Sequence, residues 1–178
     1  MLEKSIILLE GCDGAGKSTM AKLLQKLTGY EIVSGSNFEL AEKGADYMYE
    51  FLRELSNRQN IIVDRSWLSN YIYARLYDKN SMTDEQFKEL TRLFDEKSIM
   101  IVLTASLDVL VARINKRGDE YIKTDEIQPI LENYLKLSME PKYVPTSNVF
   151  MNTDDGIDSV TVMSIINHFN VNRPERRT

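Results

Sequence analysis

Between Glu10 and Thr19 the chain reads E-G-C-D-G-A-G-K-S-T, directly after the apolar run Ser5, Ile6, Ile7, Leu8, Leu9 and directly before a helical pattern. Gly11, four residues, Gly16, Lys17 and Ser18 spell the Walker A spacing, set between a strand pattern and a helix pattern. Glycines let the backbone curl so that successive N–H groups converge on phosphate oxygens, and the helix that follows adds the positive end of its dipole. Such a stretch demands a buried strand feeding a helix, with an anion site at the join.

Each residue of the loop then has an expected task. Gly11, Gly14, Ala15, Gly16 and Thr19 form the cradle for the phosphates of a nucleotide, and Lys17 supplies a mobile charge for the β and γ phosphates. The Ser18 hydroxyl is placed to ligate a magnesium ion. Asp13 is an acid inside an anion-binding loop, so it needs a second reason to be there. We read it as facing the acceptor; the plainer reading is a turn carboxylate bonded to its own backbone.

Helical periodicity after Ser18 (Met20, Ala21, Leu23, Leu24, Leu27) stops at Gly29, and a short strand at 31–33 enters the loop Ser34, Gly35, Ser36, Asn37. Residues 41–55 read as one helix with Tyr47, Met48, Phe51, Leu52 and Leu55 inward. Ile61 to Val63 form a buried strand that delivers Asp64, Arg65 and Ser66 at its carboxyl end. Helices are expected at about 66–76 and 83–97, the second opened by a Thr83 to Gln86 capping box. A strand at 99–104 leads to a helix from Leu107 capped by Ser106. A polar segment at 113–124, a helix at about 125–137, a strand at 149–151 and a helix at 157–169 complete the chain. Alternating strands and helices build a parallel sheet covered on both faces, with ligands beyond the carboxyl ends of the strands.

Asp64 ends a buried strand opposite the loop, where it would hold magnesium through water or accept a proton from an attacking hydroxyl. Arg65 offers a planar fork suited to phosphate. Arg113, Lys116 and Arg117 share one helical face running into Gly118 and Asp119; the stretch resembles the lid of nucleotide kinases, which implies that these residues supply the cations Ala15 does not. The plainer readings are a surface ion pair at a strand end and a solvated basic face.

The chain has 178 residues, 43% of them apolar, and a net charge of −5. These values suit one domain over residues 1–170, with a lid at about 113–124 and a basic tail at 171–178 carrying Arg173, Arg176 and Arg177. Acidic charge disfavours nucleic acid as a partner. The single Cys12 fits a reducing compartment, and the amino-terminal run is too short for a signal peptide or membrane span, so we expect a soluble cytoplasmic protein.

Together, E-G-C-D-G-A-G-K-S-T, V-D-R-S at 63–66 and V-A-R-I-N-K-R-G-D at 111–119 resemble the thymidylate kinase family of P-loop kinases. The resemblance implies a three-layer α/β fold with a five-stranded parallel sheet of order 2-3-1-4-5, helices on both faces and a short lid. It implies ATP as donor, magnesium as cofactor and a 5′ deoxynucleotide acceptor, thymidylate or a related pyrimidine. Lys17, Arg113 and Arg117 would then stabilise the transferring phosphoryl group, Ser18 and Asp64 would hold magnesium, Asp13 would contact the acceptor sugar and Arg65 its phosphate. The 152–156 loop with Asp154 would border the adenine, Tyr71 or Phe38 would stack on the acceptor base, and a homodimer is an expectation.

Two features depart from that pattern. Ser34 to Phe38 replaces a T-R-E-P-G-like segment and has no cation, leaving Arg65, helped by Arg53 or Arg75, to hold an acceptor phosphate. D-R-S followed by Tyr71, Tyr73, Ala74 and Leu76 also resembles deoxynucleoside kinases, in which the acid is a base toward a nucleoside 5′ hydroxyl; Asp64 would then be that base. A nucleotide-dependent switch or a polynucleotide kinase is a weaker alternative. In Asn115 to Asp119 the acid falls one place too late for the N-K-x-D base-reading motif of guanine switches.

Overall fold

The computed structural model describes residues 3–36, 38–77, 79, 81–118 and 123–172, without the side chains of Phe38 and Leu40. Arg173, Arg176 and Arg177, the Asn37 position, the Phe38 ring and residues 119–122 of the expected lid lie outside the described residues or side chains.

Five strands, β1 (Ile6–Glu10), β2 (Glu31–Ser34), β3 (Ile61–Asp64), β4 (Ser98–Thr104) and β5 (Asn148–Asn152), form one parallel sheet in the order β2-β3-β1-β4-β5. This is the order the resemblance implied. The central strands read as continuous apolar runs because helices cover both faces, and every residue of β1 is buried. Burying each Ile or Leu side chain there is worth about 1.5–3 kcal/mol.

The helices are α1 (Lys17–Thr28), α2 (Phe38–Glu42), α3 (Ala45–Leu55), α4 (Trp67–Leu76), α5 (Asp84–Asp95), α6 (Leu107–Arg117), α7 (Thr124–Leu137) and α8 (Ser159–His168). Gly29 ends α1 in the left-handed conformation, and Thr83 with Gln86 forms the expected capping box on α5. Helix α4 is the most enclosed: Trp67, Leu68, Ser69, Asn70, Tyr71, Ile72 and Ala74 are all buried.

Three expectations need correction. Residues 41–55 are two helices, not one, because Gly44 at φ 96° resets the chain between α2 and α3. The new start puts Met48, Leu52 and Leu55 at helical spacing on the inner face and leaves Tyr47, expected inward, 44% exposed. The Ser106 side chain makes no cap to α6; its backbone N–H instead donates to Asp154 Oδ1 at 2.7 Å. The polar segment from Arg113 begins as helix, since α6 continues to Arg117.

Candidate active site

Parallel register builds the site. Leu9 pairs with Asp64 across β1 and β3, and Glu10 pairs with Val102 across β1 and β4, so the loop after β1 emerges between the ends of its neighbours. Gly11 is required there by contact as well as conformation: at φ 135°, a Cβ would lie 2.3 Å from the Leu103 carbonyl oxygen. Gly16, at φ 94°, is the N-cap of α1, and no side chain caps that terminus.

A cleft of about 520 Å³ opens at this edge. Its walls include Asp13, Gly14, Gly16, Lys17, Ser18 and Thr19 from the loop, Asp64 and Arg65 from the end of β3, Arg113, Lys116 and Arg117 from α6, and Thr153, Gly156 and Ile157 after β5. The loop, the Asp-Arg pair and the basic helical face, far apart in sequence, thus meet around one space. Gly11 and Ala15 are buried beneath it as backbone.

Lys17 Nζ donates to the Gly11 and Cys12 carbonyls at 2.8 and 2.9 Å. Burial and the neighbouring Arg65 charge push its ammonium down to about 8, with Asp13 and Asp64 acting in the opposite direction. Cys12, beneath the loop, is pushed up to about 11 by burial, so its thiol is inert at neutral pH. The exposed Ser18 hydroxyl and Asp64 share the cleft. Asp64 Oδ1 is buried with no hydrogen-bond partner among the described residues, an oxygen open to a cation or to a proton donor brought by a ligand.

Asp13 does not fold back on its own turn. Its Oδ1 accepts from Arg65 Nη2 at 2.5 Å and its Oδ2 from the Tyr73 hydroxyl. Burial works against this carboxylate, but Arg65, Lys17 and the Tyr73 hydrogen bond hold it below the usual carboxylate range. Arg65 adopts φ 66°, and its backbone N–H donates to the Leu9 carbonyl at 3.0 Å. Burial disfavours its charge, yet Tyr73, Tyr134 and Asp13 outweigh that and keep it firmly protonated.

Arg113 spans the two ends of the cleft. Its Nη1 donates to the Gly14 carbonyl at 3.2 Å and to Thr153 Oγ1 at 3.0 Å, and its Nη2 to the Thr153 and Asp154 carbonyls. Thr153 Oγ1 in turn donates toward the Ala15 carbonyl at 3.0 Å. Asp154 turns toward the start of α6 and Asn152, where the Ser106 N–H lowers its carboxyl pKa.

Three expected acceptor residues sit elsewhere. Tyr71 is a core residue, 6% exposed, packed on Phe87 and Tyr143 at centroid distances of 5.1 and 4.9 Å, so its ring is not free to stack on a base. Arg75 lies over that ring, and Arg53 pairs with Glu50 on the exposed face of α3. The sequence reading passed over Tyr73 and Thr153 as site residues. Tyr73 carries a helical signal, lying eight residues, or about two turns, past Arg65; Thr153 shows none beyond its place in a loop.

Known proteins share this architecture. A family model described as an AAA domain matches residues 7–133. The SPbeta prophage-derived uncharacterized protein YorR of Bacillus subtilis is 37% identical over 131 residues, covering 73% of this chain and 79% of that protein. The crystal structure of YorR in complex with phosphorylated GDP superposes with a TM-score of 0.77 at 30% identity, covering 92% of this chain and 98% of that one. A probable thymidylate kinase of Methanocaldococcus jannaschii is 25% identical, covering 81% of this chain and 87% of that protein. Deoxyadenosine kinase from M. mycoides with bound dATP gives a TM-score of 0.61 at 25% identity, covering 93% and 99%. Among the described residues, no helix is long and apolar enough to cross a membrane.

Proposed function

The chain belongs to the family whose model is described as an AAA domain and is a thymidylate kinase-like P-loop nucleotide kinase, and from that premise we propose that it transfers the γ-phosphoryl group of ATP to a deoxynucleoside monophosphate, thymidylate or a related pyrimidine deoxynucleotide, giving the diphosphate. The observation that carries this reading is the cleft shared by Lys17, the α6 cations and the Asp64 and Arg65 pair. Donor and acceptor phosphates need cations around one space, and Lys17 and Arg65 both line it.

Lys17 binds the β and γ phosphates, the backbone of residues 11–16 cradles them, and Arg113 and Arg117 neutralise charge on the group in transit. Magnesium would be held by the Ser18 hydroxyl and by Asp64, whose unpartnered Oδ1 fits a cation; the ion supplies charge neutralisation between the phosphates. Asp13 orients the acceptor sugar, and Arg65 binds the acceptor phosphate. A compartment without disulfides, such as the cytoplasm, suits these roles.

One observation favours a second reading. Arg65 is already matched by Asp13, so the acceptor side carries no surplus positive charge, while Asp64 has an open oxygen. That combination suits a nucleoside whose 5′ hydroxyl gives its proton to Asp64.

Both readings are tested by ADP release from ATP and magnesium with parallel acceptors: the deoxynucleoside monophosphates, uridylate and the corresponding nucleosides. Turnover with pyrimidine monophosphates alone supports the first reading. Turnover with nucleosides supports Asp64 as the base, and silence with every acceptor rejects both.

A further inference from the structure

Among the described residues Glu10 is the most enclosed acid: it is 0% exposed, and none of the ion pairs among them includes it. Hydrogen bonds alone satisfy it. Oε1 accepts from the Ser66 N–H at 2.8 Å, Ser66 Oγ at 2.6 Å and the Ser69 N–H at 3.3 Å. Oε2 accepts from Ser69 Oγ at 2.5 Å, and the Tyr134 hydroxyl oxygen lies 3.4 Å from it. Ser66 stands at the N-cap of α4 but makes no side-chain cap of its own, so a carboxylate from β1 caps that helix across the sheet.

The hydroxyls around Glu10 have one consistent direction. Ser69 has a single hydroxyl hydrogen, and the Glu10 carboxylate only accepts, so that hydrogen goes to Glu10. The 2.7 Å contact between Ser69 Oγ and Tyr134 Oη must then use the tyrosine proton. Burial, with Glu10 second, pushes the Tyr134 phenol well above its usual range, so the proton stays. The Tyr134 lone pairs are left facing Arg65 Nη1, which donates to them at 3.4 Å.

We propose that Tyr134 is a positioning residue for Arg65, closing a one-way hydrogen-bond relay from Arg65 through Tyr134 and Ser69 to Glu10 that aims the guanidinium at the acceptor. Successive donors polarise one another, so the buried carboxylate at the far end strengthens the acceptor at the near end. Helix α7 thereby contributes to acceptor recognition although its Tyr134 is fully buried beneath the site. This role rests on the reading of Arg65 as the acceptor cation.

Tyr134→Phe removes the link and leaves Glu10 capping α4. Glu10→Gln keeps an oxygen for the Ser66 and Ser69 N–H groups, but its amide must donate, which turns the Ser69 hydroxyl around and reverses the relay. In each variant the KM for the acceptor is expected to rise about five- to tenfold while the KM for ATP stays within about twofold. The double variant is expected to be no worse than the weaker single, because one chain is broken once. An unchanged acceptor KM, or acceptor and ATP KM values rising together, overturns the proposal.

A second measurement needs no acceptor. In ¹⁵N NMR of the arginine side chains, Arg65 is expected to show separate, slowly rotating guanidinium N–H signals in the wild type and averaged ones in Tyr134→Phe. Identical behaviour in both proteins overturns the relay. A wild type that transfers to no acceptor, yet shows this NMR difference, rejects the role of Arg65 in catalysis and keeps the relay.

Discussion

Arg65 Nη2 lies 2.5 Å from Asp13 Oδ1, joining the phosphate loop after β1 to the turn after β3, 52 residues later in the chain. The pair is about one-fifth exposed on each side, with side-chain values of 18% and 21%, and it faces the cleft. An acid in the loop is tolerated because a cation from the neighbouring strand end meets it, and Tyr73 takes its other oxygen.

Removing that cation tests the pairing. In Arg65→Ala, Asp13 keeps only Lys17 and Tyr73 as support, and its carboxyl is expected to move up toward its ordinary 3.8. The stabilisation from a lowered carboxylate is present above the unfolded value and is lost as pH falls through the folded one. Acid unfolding of the wild type should therefore include a step below pH 3.8 that weakens in the variant. Chemical denaturation at neutral pH should show a loss of about 1–3 kcal/mol, below that of a fully buried pair because the site is open to water.

Lys17 should govern the pH dependence of ATP use. Its ammonium is set at about 8, so the free enzyme loses the charge as pH rises through that value. Initial rates at saturating acceptor should show kcat/KM for ATP falling about tenfold per unit above it. Lys17→Ala should abolish transfer with the fold intact by circular dichroism. The buried charge costs stability below about 8, and that cost is relieved as pH rises toward 10.5, where the unfolded lysine also deprotonates, so wild-type stability should rise across this window.

Gly11 and Gly29 make a contrast between conformation and contact. Both have positive φ, at 135° and 77°, but a Cβ on Gly11 strikes the Leu103 carbonyl at 2.3 Å whereas one on Gly29 meets nothing within 4 Å. Gly29→Ala should cost about 1 kcal/mol. Gly11→Ala should cost more than about 3 kcal/mol and abolish nucleotide binding, because the strand backbone it strikes cannot yield. Thermal unfolding and calorimetric ATP titration of the two variants check the difference.

Arg113→Ala should loosen the contact between the two walls of the donor site. The side chain ties Gly14 to Thr153 and Asp154, so its loss leaves the Thr153 hydroxyl on the Ala15 carbonyl to hold the 152–156 loop to the phosphate loop. We expect the KM for ATP to rise about tenfold or more, with unfolding temperature changed only slightly. Equal ATP affinity in variant and wild type would show that the bracing has no part in binding.

Much of this architecture was legible locally. The Walker A spacing, the apolar strands and the helix stop at Gly29 are short-range patterns, and each specifies its element without help from the rest of the chain. The break at Gly44 was also on the page, but the apolar pattern from Ala41 to Leu55 carries through it in phase closely enough to read as one helix. Tyr71 and Tyr73 show the limit of such reading. Two residues apart on α4, they look equally suited to a ligand, and only the packing of Phe87 and Tyr143 decides which faces the core.

The phosphate loop, the parallel α/β character and the candidate donor residues follow from local patterns along the chain, because backbone conformation and hydrophobic period depend on sequence neighbours. That Asp13 meets Arg65 and Tyr73, that Arg113 braces Thr153, and that Glu10 reaches Arg65 through Ser69 and Tyr134 depends on the assembled fold. Those partners are set by strand register, which aligns Leu9 with Asp64, and by the packing of α7 on α4. Residues 124 positions apart can share a hydrogen-bond network only after the sheet and its covering helices have assembled.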